Sequence, residues 1–320
     1  MIKETTSKPK TSGNFRKNDC GVKDRNGQLL TQEKEVQERW KEYFEELLNV
    51  DHDPAGSDID SPFDEEMDEL EINLDEITEA EIEVAIRMQK NGKASGNDNI
   101  NAELFKTDLE TNTNILCKLF NLIWTRERFP ESWKESQIVK IPKKGDLSNC
   151  SNWRGISLLS VPSKIFTRIL MNRIKHSIEE RLRIEQAGFR GGRSTINQIF
   201  ILRNIIEQNV ELNSTLYLNF IDFAKAFDSI NRDCLWKILK IYGIPQKIIN
   251  LMKNLYQGSS GRVLVNGTTT EKFDIRTGVK QGCVMSGLLF NIVIDWIMQK
   301  TLKNSKTGIR WNFDSHLEDL

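Results

Sequence analysis

The segment LNFIDFAKAFDSI contains the clearest candidate for chemistry in this sequence, the carboxylate of Asp222. Residues 218–222 alternate in the manner of a strand, so one face is apolar until it reaches Asp222. Because burial of an unpaired carboxylate is costly, we expect a cation, a hydrogen-bond network or a metal ion beside it. Mg²⁺ suits this position, with the carbonyl of Phe223 as a second ligand. Alternatively, Asp222 caps the following helix and Phe227 lies in the core.

A second candidate lies in TGVKQGCVMSGLLF, where Gln281 and Gly282 precede a predicted helix. Backbone N–H groups and an amide side chain can face a ligand at such a place, and glycine allows a close approach of the backbone. The alternative is an ordinary glycine turn that leads into a helix. The pattern therefore indicates a possible ligand contact without fixing one.

Basic residues occupy two further loops. Lys143, Lys144 and Arg154 lie in IPKKGDLSNCSNWRGIS, and Arg190 and Arg193 lie in GFRGGRST. Arginine makes planar, bidentate contacts with phosphate, whereas lysine acts as a point charge. Both loops are candidates for phosphate or nucleic-acid binding, and the alternative for each is a solvated surface loop.

The net charge of −1 conceals a strong asymmetry. Residues 51–86 contain 15 acidic residues and no Lys or Arg, which leaves a net charge of +14 on the other 284 residues. A basic body is typical of a protein that binds a polyanion, and nucleic acid is the first candidate. Dispersed surface lysines are the alternative, and the acidic block is best interpreted as a flexible linker.

Composition excludes several classes of protein. No apolar run approaches the ~20 residues that span a bilayer, and the N-terminus has no apolar signal segment, so we expect no membrane partner and an intracellular location in cytoplasm and nucleus. The five cysteines are scattered without a Cys-x-x-Cys pair, and the three histidines are dispersed, which predicts no zinc site.

The apolar periodicity predicts a mixture of helices and hairpins, not a regular βαβ alternation. The segments SQIVKIP and RGISLLS predict a basic hairpin, and GRVLVNGTTTEKFDI predicts another with its turn at Asn266-Gly267. Helical spacing is found in EKEVQERWKEYFEELLN, DEITEAEIEVAIRMQ, AELFKTDLETNTNILCKLFNLIWTRERF, VPSKIFTRILMNRIKHSIEERL, TINQIFILRNIIEQNVEL, RDCLWKILKIYG, PQKIINLMKNLYQG and MSGLLFNIVIDWIMQKTL.

The order and spacing of these segments resemble the reverse transcriptases of non-LTR (LINE-like) retrotransposons. KNGKASGNDNINAELF is similar to the segment ahead of their fingers, and SWKESQIVKIPKKGDLSNCSNWRGISLLSVPSKIFTRILMNRI to their fingers motifs. EQAGFRGGRSTINQI is similar to the next block, FIDFAKAFDSI to motif A, and GVKQGCVMSGLLFNIVID to motif B. The departures from the family pattern are Ser95, Asn99, Gly155, Val284, Met285 and Gly287.

The resemblance implies an α+β fold: the fingers and a partial palm of a right-hand polymerase, after a helical N-terminal extension, with the thumb absent. It divides the chain into a disordered N-terminus (1–30), a helical extension (31–130) with an acidic linker (51–75), fingers (131–215) and a partial palm (216–320). The implied partners are an RNA template, a DNA primer and a dNTP, and the implied cofactor is Mg²⁺, two ions in the complete enzyme.

The resemblance also assigns roles in motif A. It makes Asp222 the catalytic residue and a metal ligand, together with the carbonyl of Phe223. Phe227 is similar to the residue that packs under the sugar and excludes a 2′-hydroxyl. The implied reaction is attack of a primer 3′-hydroxyl on the α-phosphate of a dNTP, with two metal ions stabilising the attacking and leaving oxygens.

The remaining roles concern the nucleotide. Lys143 and Arg154 resemble the fingers residues that grip the triphosphate, and Lys144 is an alternative to Lys143 because the sequence does not fix the register. Gln281 and Gly282 resemble the motif B pair that touches nucleotide and template.

The family's motif C, which carries two adjacent aspartates, is not found, and the 320 residues contain no Asp-Asp pair. We therefore expect a chain truncated before motif C that does not polymerise, although its parent element performs RNA-directed DNA synthesis. Two alternatives stay open. One is a nucleic-acid-binding remnant without chemistry. The other is a chain without a stable fold, because the strand of residues 218–222 has lost a neighbour and lies exposed as an edge.

Overall fold

The computed structural model of the protein describes residues 21–50, 67–302, 308–310, 316–317 and 319. The helices in this part of the chain are α1 (Glu33–Leu47), α2 (Glu79–Arg87), α3 (Ala102–Thr107), α4 (Leu109–Arg126), α5 (Glu131–Lys134), α6 (Val161–Glu179), α7 (Thr195–Glu211), α8 (Arg232–Ile241), α9 (Gln246–Tyr256) and α10 (Ser286–Leu302). Each helical segment predicted from periodicity contains at least one of them, so these predictions are confirmed.

The strands are β1 (Val22–Lys23), β2 (Leu29–Leu30), β3 (Glu135–Pro142), β4 (Trp153–Leu158), β5 (Ser260–Val265), β6 (Thr268–Thr269), β7 (Phe273–Asp274), β8 (Ile309–Arg310) and β9 (His316–Leu317). The main sheet has the order β4-β3-β5-β6, and β7 also pairs with β5. Strands β3 and β4 are antiparallel, whereas β3 and β5 are parallel. The fold is therefore mixed α and β with a mixed sheet, and both predicted hairpins are confirmed.

Two apolar cores hold the described part together. The larger one joins α2, α4, α6, α8, α9 and α10 around side chains such as Phe120, Phe166 and Tyr242, which are fully buried. The smaller one packs α1 onto the main sheet, where Trp40 and Phe44 meet residues of β3 and β5. Helix α1 lies on the sheet because its apolar residues recur every three or four positions and form one face.

The smaller core also fixes the chain ahead of α10. The carbonyl of Leu48, at the end of α1, accepts hydrogen bonds from the backbone N–H groups of Arg276 and Thr277, at 3.1 and 3.0 Å. The amide of Asn49 donates to the carbonyl of Asp274 at 2.8 Å, and its oxygen accepts from the N–H of Arg276 at 3.0 Å. The helical extension is thus attached to the segment that leads to the predicted Gln281-Gly282 contact.

The predicted strand at residues 218–222 is not formed. These residues lie outside every helix and strand of the described chain, and all five are exposed, including Phe220 at 78% and Ile221 at 65%. Apolar alternation specifies a half-buried strand only where a neighbouring strand offers hydrogen bonds and a face to cover. No described strand does so here. The segment is therefore exposed, as expected for a strand that has lost its neighbour, but it does not form a strand.

Two domain-level expectations also need correction. Residues 21–30, expected to be disordered, form the β1–β2 hairpin, in which Val22 is buried and the N–H of Lys23 donates to the carbonyl of Ser148 at 2.8 Å. The end of the expected flexible linker packs against the protein, since the N–H of Leu70 donates to the carbonyl of Gly243 at 2.7 Å. The remainder of both predictions, residues 1–20 and 51–66, lies outside the described residues.

Among the described helices, none combines the length and the apolar character that crossing a membrane requires.

Candidate functional site

The β3–β4 hairpin carries the predicted phosphate-binding cations at one end. Ile141 pairs with Arg154 in the antiparallel register, and Lys143 follows β3 directly. The N–H of Lys143 donates to the carbonyl of Asn152 at 2.8 Å, and its ammonium donates to the carbonyl of Ser151 at 3.1 Å. Lys143, Lys144 and Arg154 are all exposed. The hairpin therefore presents three cations to solvent from a rigid two-stranded element.

The Gln281-Gly282 turn lies against the other end of the same hairpin. The N–H of Ser157 in β4 donates to the carbonyl of Gln281 at 2.7 Å. Gly282 has φ +129°, and a Cβ atom at this position would lie 2.4 Å from the carbonyl oxygen of Ser157. The backbone at Gly282 is closely approached, and the atoms that approach it are those of β4. Glycine is required here because a side chain would separate the turn from the hairpin.

The end of the motif A segment docks onto the chain that precedes this turn. The N–H of Val279 donates to the carbonyl of Phe227, and the N–H of Gly278 to that of Ile230, both at 2.8 Å. The hydroxyl of Thr277 donates to the carbonyl of Asp228 at 3.0 Å. These bonds hold Asp228 beside the Gln281-Gly282 turn.

Asp228 is the residue that sequence reasoning missed. Burial raises the pKa of its carboxyl to about 6, and Lys143, Lys225 and Arg154 oppose part of that rise. Of the two lysines considered for the triphosphate, it is Lys143 whose charge acts on this carboxyl. The available signal was the second aspartate of FIDFAKAFDSI, which directly follows an apolar residue. The structure thus brings the basic hairpin and motif A together at Asp228.

Arg232, at the start of α8, is a second residue that the sequence did not reveal. Its guanidinium donates to four backbone carbonyls, those of Tyr256, Ile275, Thr277 and Gly278, at 2.8 to 3.1 Å. Burial lowers its pKa to about 10. Since three of the four carbonyls belong to residues 275–278, directly ahead of the Gln281-Gly282 turn, Arg232 holds that segment in place.

These elements enclose one narrow pocket. Its lining includes Gly155 and Ser157 from β4, Asp228, Gln281 and, from the helical extension, Phe44 of α1. Two cations line it, Arg232 and the buried Lys280, and the charges of Lys143 and Arg154 on the hairpin act on the carboxyl of Asp228 in its wall. Burial lowers the pKa of Lys280 to about 8. An excess of cations over carboxylates favours an anionic ligand at its mouth.

Asp222 and Phe223 are not brought into this pocket. Both side chains are exposed, and within the described chain the carboxylate of Asp222 forms no hydrogen bond or ion pair. The proposed capping role is also wrong, because α8 begins ten residues later and is capped by Asn231, whose side chain accepts from the N–H of Cys234 at 3.1 Å. No group of three or more His, Cys, Asp or Glu side chains is placed to hold a metal in the described residues.

Phe227 lies in a cluster of aromatic rings. It stacks on Phe290 of α10, with ring centroids 4.7 Å apart, and meets Phe189 edge to face at 5.8 Å. In this structure Phe227 is therefore a packing residue, as the alternative interpretation stated. A ligand that contacts Phe227 must use the part of its ring that α10 leaves uncovered.

The two arginines of the glycine-rich loop differ. Arg190 is buried, forms an ion pair with Glu179 at 2.8 Å and donates to the carbonyls of Glu179, Arg183 and Gln186. A phosphate contact by Arg190 would break these bonds. Arg193 is exposed and donates to the carbonyl of Ile184 at 2.9 Å. Arg193 is therefore the better placed of the two for an external contact.

Comparison with known proteins identifies the class. Residues 141–312, more than half of the chain, match the family described as reverse transcriptase (RNA-dependent DNA polymerase). The matched segment begins near the end of β3 and contains Lys143, β4, Asp228 and the Gln281-Gly282 turn. The protein belongs to the reverse transcriptase family.

Its relatives define the type. It is 30% identical over 223 residues to the Pol polyprotein of the type-1 retrotransposable element R2 of Popillia japonica, which covers 69% of this chain and 30% of that protein. The probable RNA-directed DNA polymerase of transposon X-element from Drosophila melanogaster is 33% identical over 219 residues, 65% of this chain and 23% of its own length. The resemblance to non-LTR retrotransposon reverse transcriptases is confirmed, and this chain spans less than a third of either relative.

Proposed function

We propose that this chain provides the nucleotide-binding part of an RNA-directed DNA polymerase, with Lys143 and Arg154 contacting the triphosphate of a dNTP and Gln281 lying beside it. In this proposal residues 131–215 act as fingers and residues 216–320 as part of a palm, and an RNA template and a DNA primer are the partners. The observation that carries it is the convergence of hairpin, Asp228 and Gln281-Gly282 turn around one cation-rich pocket.

Electrostatics supports the choice of a triphosphate. Lys143 directly follows β3 and Arg154 lies on the paired strand β4. Among the residues that line the pocket the one carboxylate is Asp228, whose pKa is raised because it is buried. A triphosphate carries more negative charge than one carboxylate, and Arg and Lys form charge-assisted hydrogen bonds with phosphate oxygens. Asp228 therefore serves as the internal counter-charge of the two cations until an anion binds.

The metal proposal fits the described residues poorly. A two-metal centre needs more than one carboxylate, and in the described chain no group of three or more His, Cys, Asp or Glu side chains is placed to hold a metal. Asp228 does not supply the second one, because its neighbours are Lys143, Lys225 and Arg154. Asp222 and the carbonyl of Phe223 are kept as proposed magnesium ligands of the parent enzyme, and no catalytic step is assigned to them here.

We expect the Lys143→Gln/Arg154→Gln variant to bind a fluorescent dNTP about tenfold more weakly than the unmodified chain, because each exposed cation contributes roughly 0.7 kcal/mol to phosphate binding. Fluorescence titration in buffer containing Mg²⁺ measures the affinity. The matched control is Lys118→Gln/Arg126→Gln, which removes the same charges from exposed positions on α4. Equal weakening in both variants, or none in the first, would refute the assignment.

We expect residues 1–320 to show no primer extension on an RNA template with dNTPs and Mg²⁺. The reason is that losing one of two metal sites removes several kcal/mol of transition-state stabilisation. A gel assay with a labelled primer measures extension. Extension that is lost on Asp222→Ala would overturn the expectation and would show that Asp222 acts with a partner from elsewhere.

A further inference from the structure

Helix α6 carries a line of polar side chains that find no partner among the described residues. Ser160 precedes the helix, and Lys164 and Arg168 follow at intervals of four residues, which places the three side chains along one ridge. Within the described chain neither Lys164 nor Arg168 forms a side-chain hydrogen bond or ion pair, and the Nε of Arg168 is buried without an acceptor. The Ser160 hydroxyl, on a residue only 7% exposed, also lacks a partner. We call these three residues the α6 ridge.

The cations of the α6 ridge lack adequate counter-charge. Burial lowers the pKa of Lys164, which Asp98 and Cys283 offset in part, and burial lowers the pKa of Arg168, which Cys283 alone offsets. The carboxylate of Asp98 accepts a hydrogen bond from the N–H of Ile100 at 3.1 Å and forms no ion pair with Lys164. Half-buried cations without a partner destabilise a protein, so their presence indicates an anionic ligand.

The α6 ridge is continuous with the proposed nucleotide site. Strand β4 ends two residues before Ser160, and its Ser157 bonds to Gln281. Cys283, the group that acts electrostatically on both Lys164 and Arg168, directly follows the Gln281-Gly282 turn. The turn is therefore close to both the nucleotide pocket, which Gln281 lines, and the ridge.

The length of the α6 ridge selects the kind of anion. Lys164 and Arg168 lie four residues apart, a rise of about 6 Å along the helix, which exceeds one phosphate group and suits two successive phosphates of one strand. We propose that the α6 ridge binds the phosphodiester backbone of a single nucleic-acid strand, with Lys164 and Arg168 each contacting a phosphate beside the nucleotide pocket. The inference deepens the proposed function, since it names residues for the strand partner of that site.

The test uses the 320-residue chain and a labelled oligonucleotide of about twelve ribonucleotides, titrated at several salt concentrations by fluorescence anisotropy. We expect Lys164→Gln/Arg168→Gln to bind about tenfold more weakly at low salt, and the slope of log affinity against log salt to shrink by about 1.4, or 0.7 for each lost phosphate contact. Lys118→Gln/Arg126→Gln on α4 is again the matched control and should behave as the unmodified chain.

Two further measurements separate the possible failures. A fluorescent dNTP should bind Lys164→Gln/Arg168→Gln with unchanged affinity, so a loss of dNTP binding would assign the ridge to the triphosphate instead of the strand and overturn the proposal.

Arg168→Leu should raise the melting temperature while weakening oligonucleotide binding. A lower melting temperature with unchanged oligonucleotide binding would show that Arg168 has a structural role and would also overturn the proposal. If the unmodified chain binds dNTP but no oligonucleotide, the ridge proposal fails and the proposed nucleotide site stands.

Discussion

The Gly282→Ala variant should lose about 3 kcal/mol of unfolding free energy and its affinity for a dNTP, because two independent penalties coincide at this residue. At φ +129° an L-residue is strained, and the new methyl group would lie 2.4 Å from the carbonyl oxygen of Ser157. The hydrogen bond from Ser157 to Gln281 cannot survive the displacement that relieves the contact. Urea unfolding followed by circular dichroism measures the stability, and fluorescence titration measures the affinity.

The control for Gly282→Ala is Gly258→Ala. Gly258 also has a positive φ, +68°, but nothing lies within 4 Å of a Cβ atom placed there. This variant should lose only about 1 kcal/mol, the penalty for a left-handed conformation without a clash. Similar losses in both variants would show that strain alone acts at Gly282, and that the contact between the turn and β4 contributes nothing.

The Asp228→Asn variant should gain about 2 kcal/mol of unfolding free energy above pH 7, because the amide removes a buried negative charge whose folded-state pKa is about 6. The groups facing this carboxyl are Lys143 and Arg154 from the hairpin, Lys225 from the preceding turn and Tyr43 from α1. The same substitution should strengthen dNTP binding, since it removes the counter-charge of Lys143 and Arg154.

The pH dependence of Asp228 has a definite sign. Its pKa is higher in the folded protein than in the unfolded chain, so between about pH 4 and pH 6 the folded state holds a proton that the unfolded chain has released. The contribution of this group to the unfolding free energy is therefore most favourable below pH 4 and falls as the pH rises through 6. Asp228→Asn should remove this fall from the stability profile.

Asp274→Asn provides the matched control, since Asp274 is an exposed aspartate on β7 and its substitution removes the same charge without relieving burial. Its stability profile between pH 4 and pH 8 should follow that of the unmodified chain. A lower stability of Asp228→Asn at pH 7.5 would contradict this account. It would show that the cations stabilise the carboxylate by more than burial destabilises it, so that Asp228 is not a weak internal counter-charge.

Local signals were sufficient for the helices and the hairpins. In α1 the apolar residues Val36, Trp40, Phe44 and Leu47 recur at helical spacing and all four are buried. Asn266-Gly267 adopts the positive φ values that a tight hairpin turn requires, and it joins β5 to β6. Such elements follow from the sequence because the interactions that define them lie within a few residues of one another.

The missed residues depend on distant parts of the chain. Asp228 is placed by the segment around Thr277, some fifty residues later, and its pKa depends on cations of the hairpin, more than seventy residues earlier. In the sequence Arg232 is an ordinary first residue of a helix. In the structure it donates to backbone carbonyls of residues as distant as Tyr256 and Gly278. Neither role has a local pattern, because burial and charge are properties of the assembled fold.

For residues 218–222 a clear local pattern was present, and the strand that it predicted is not formed. Its alternation is clear in the sequence, but a strand forms only with a hydrogen-bonding neighbour, and none is found in the described chain. Asp222 is therefore exposed and lies outside the pocket lining, and the nucleotide site is defined without it.

Hydrogen–deuterium exchange with and without dATP and Mg²⁺ tests the central claim most directly. If the hairpin, Asp228 and the Gln281-Gly282 turn form one triphosphate site, the ligand should slow exchange in residues 141–158 and 277–284 together, and leave α4 unchanged. Protection confined to one of the two segments, or appearing in α4 alone, would contradict a single shared site.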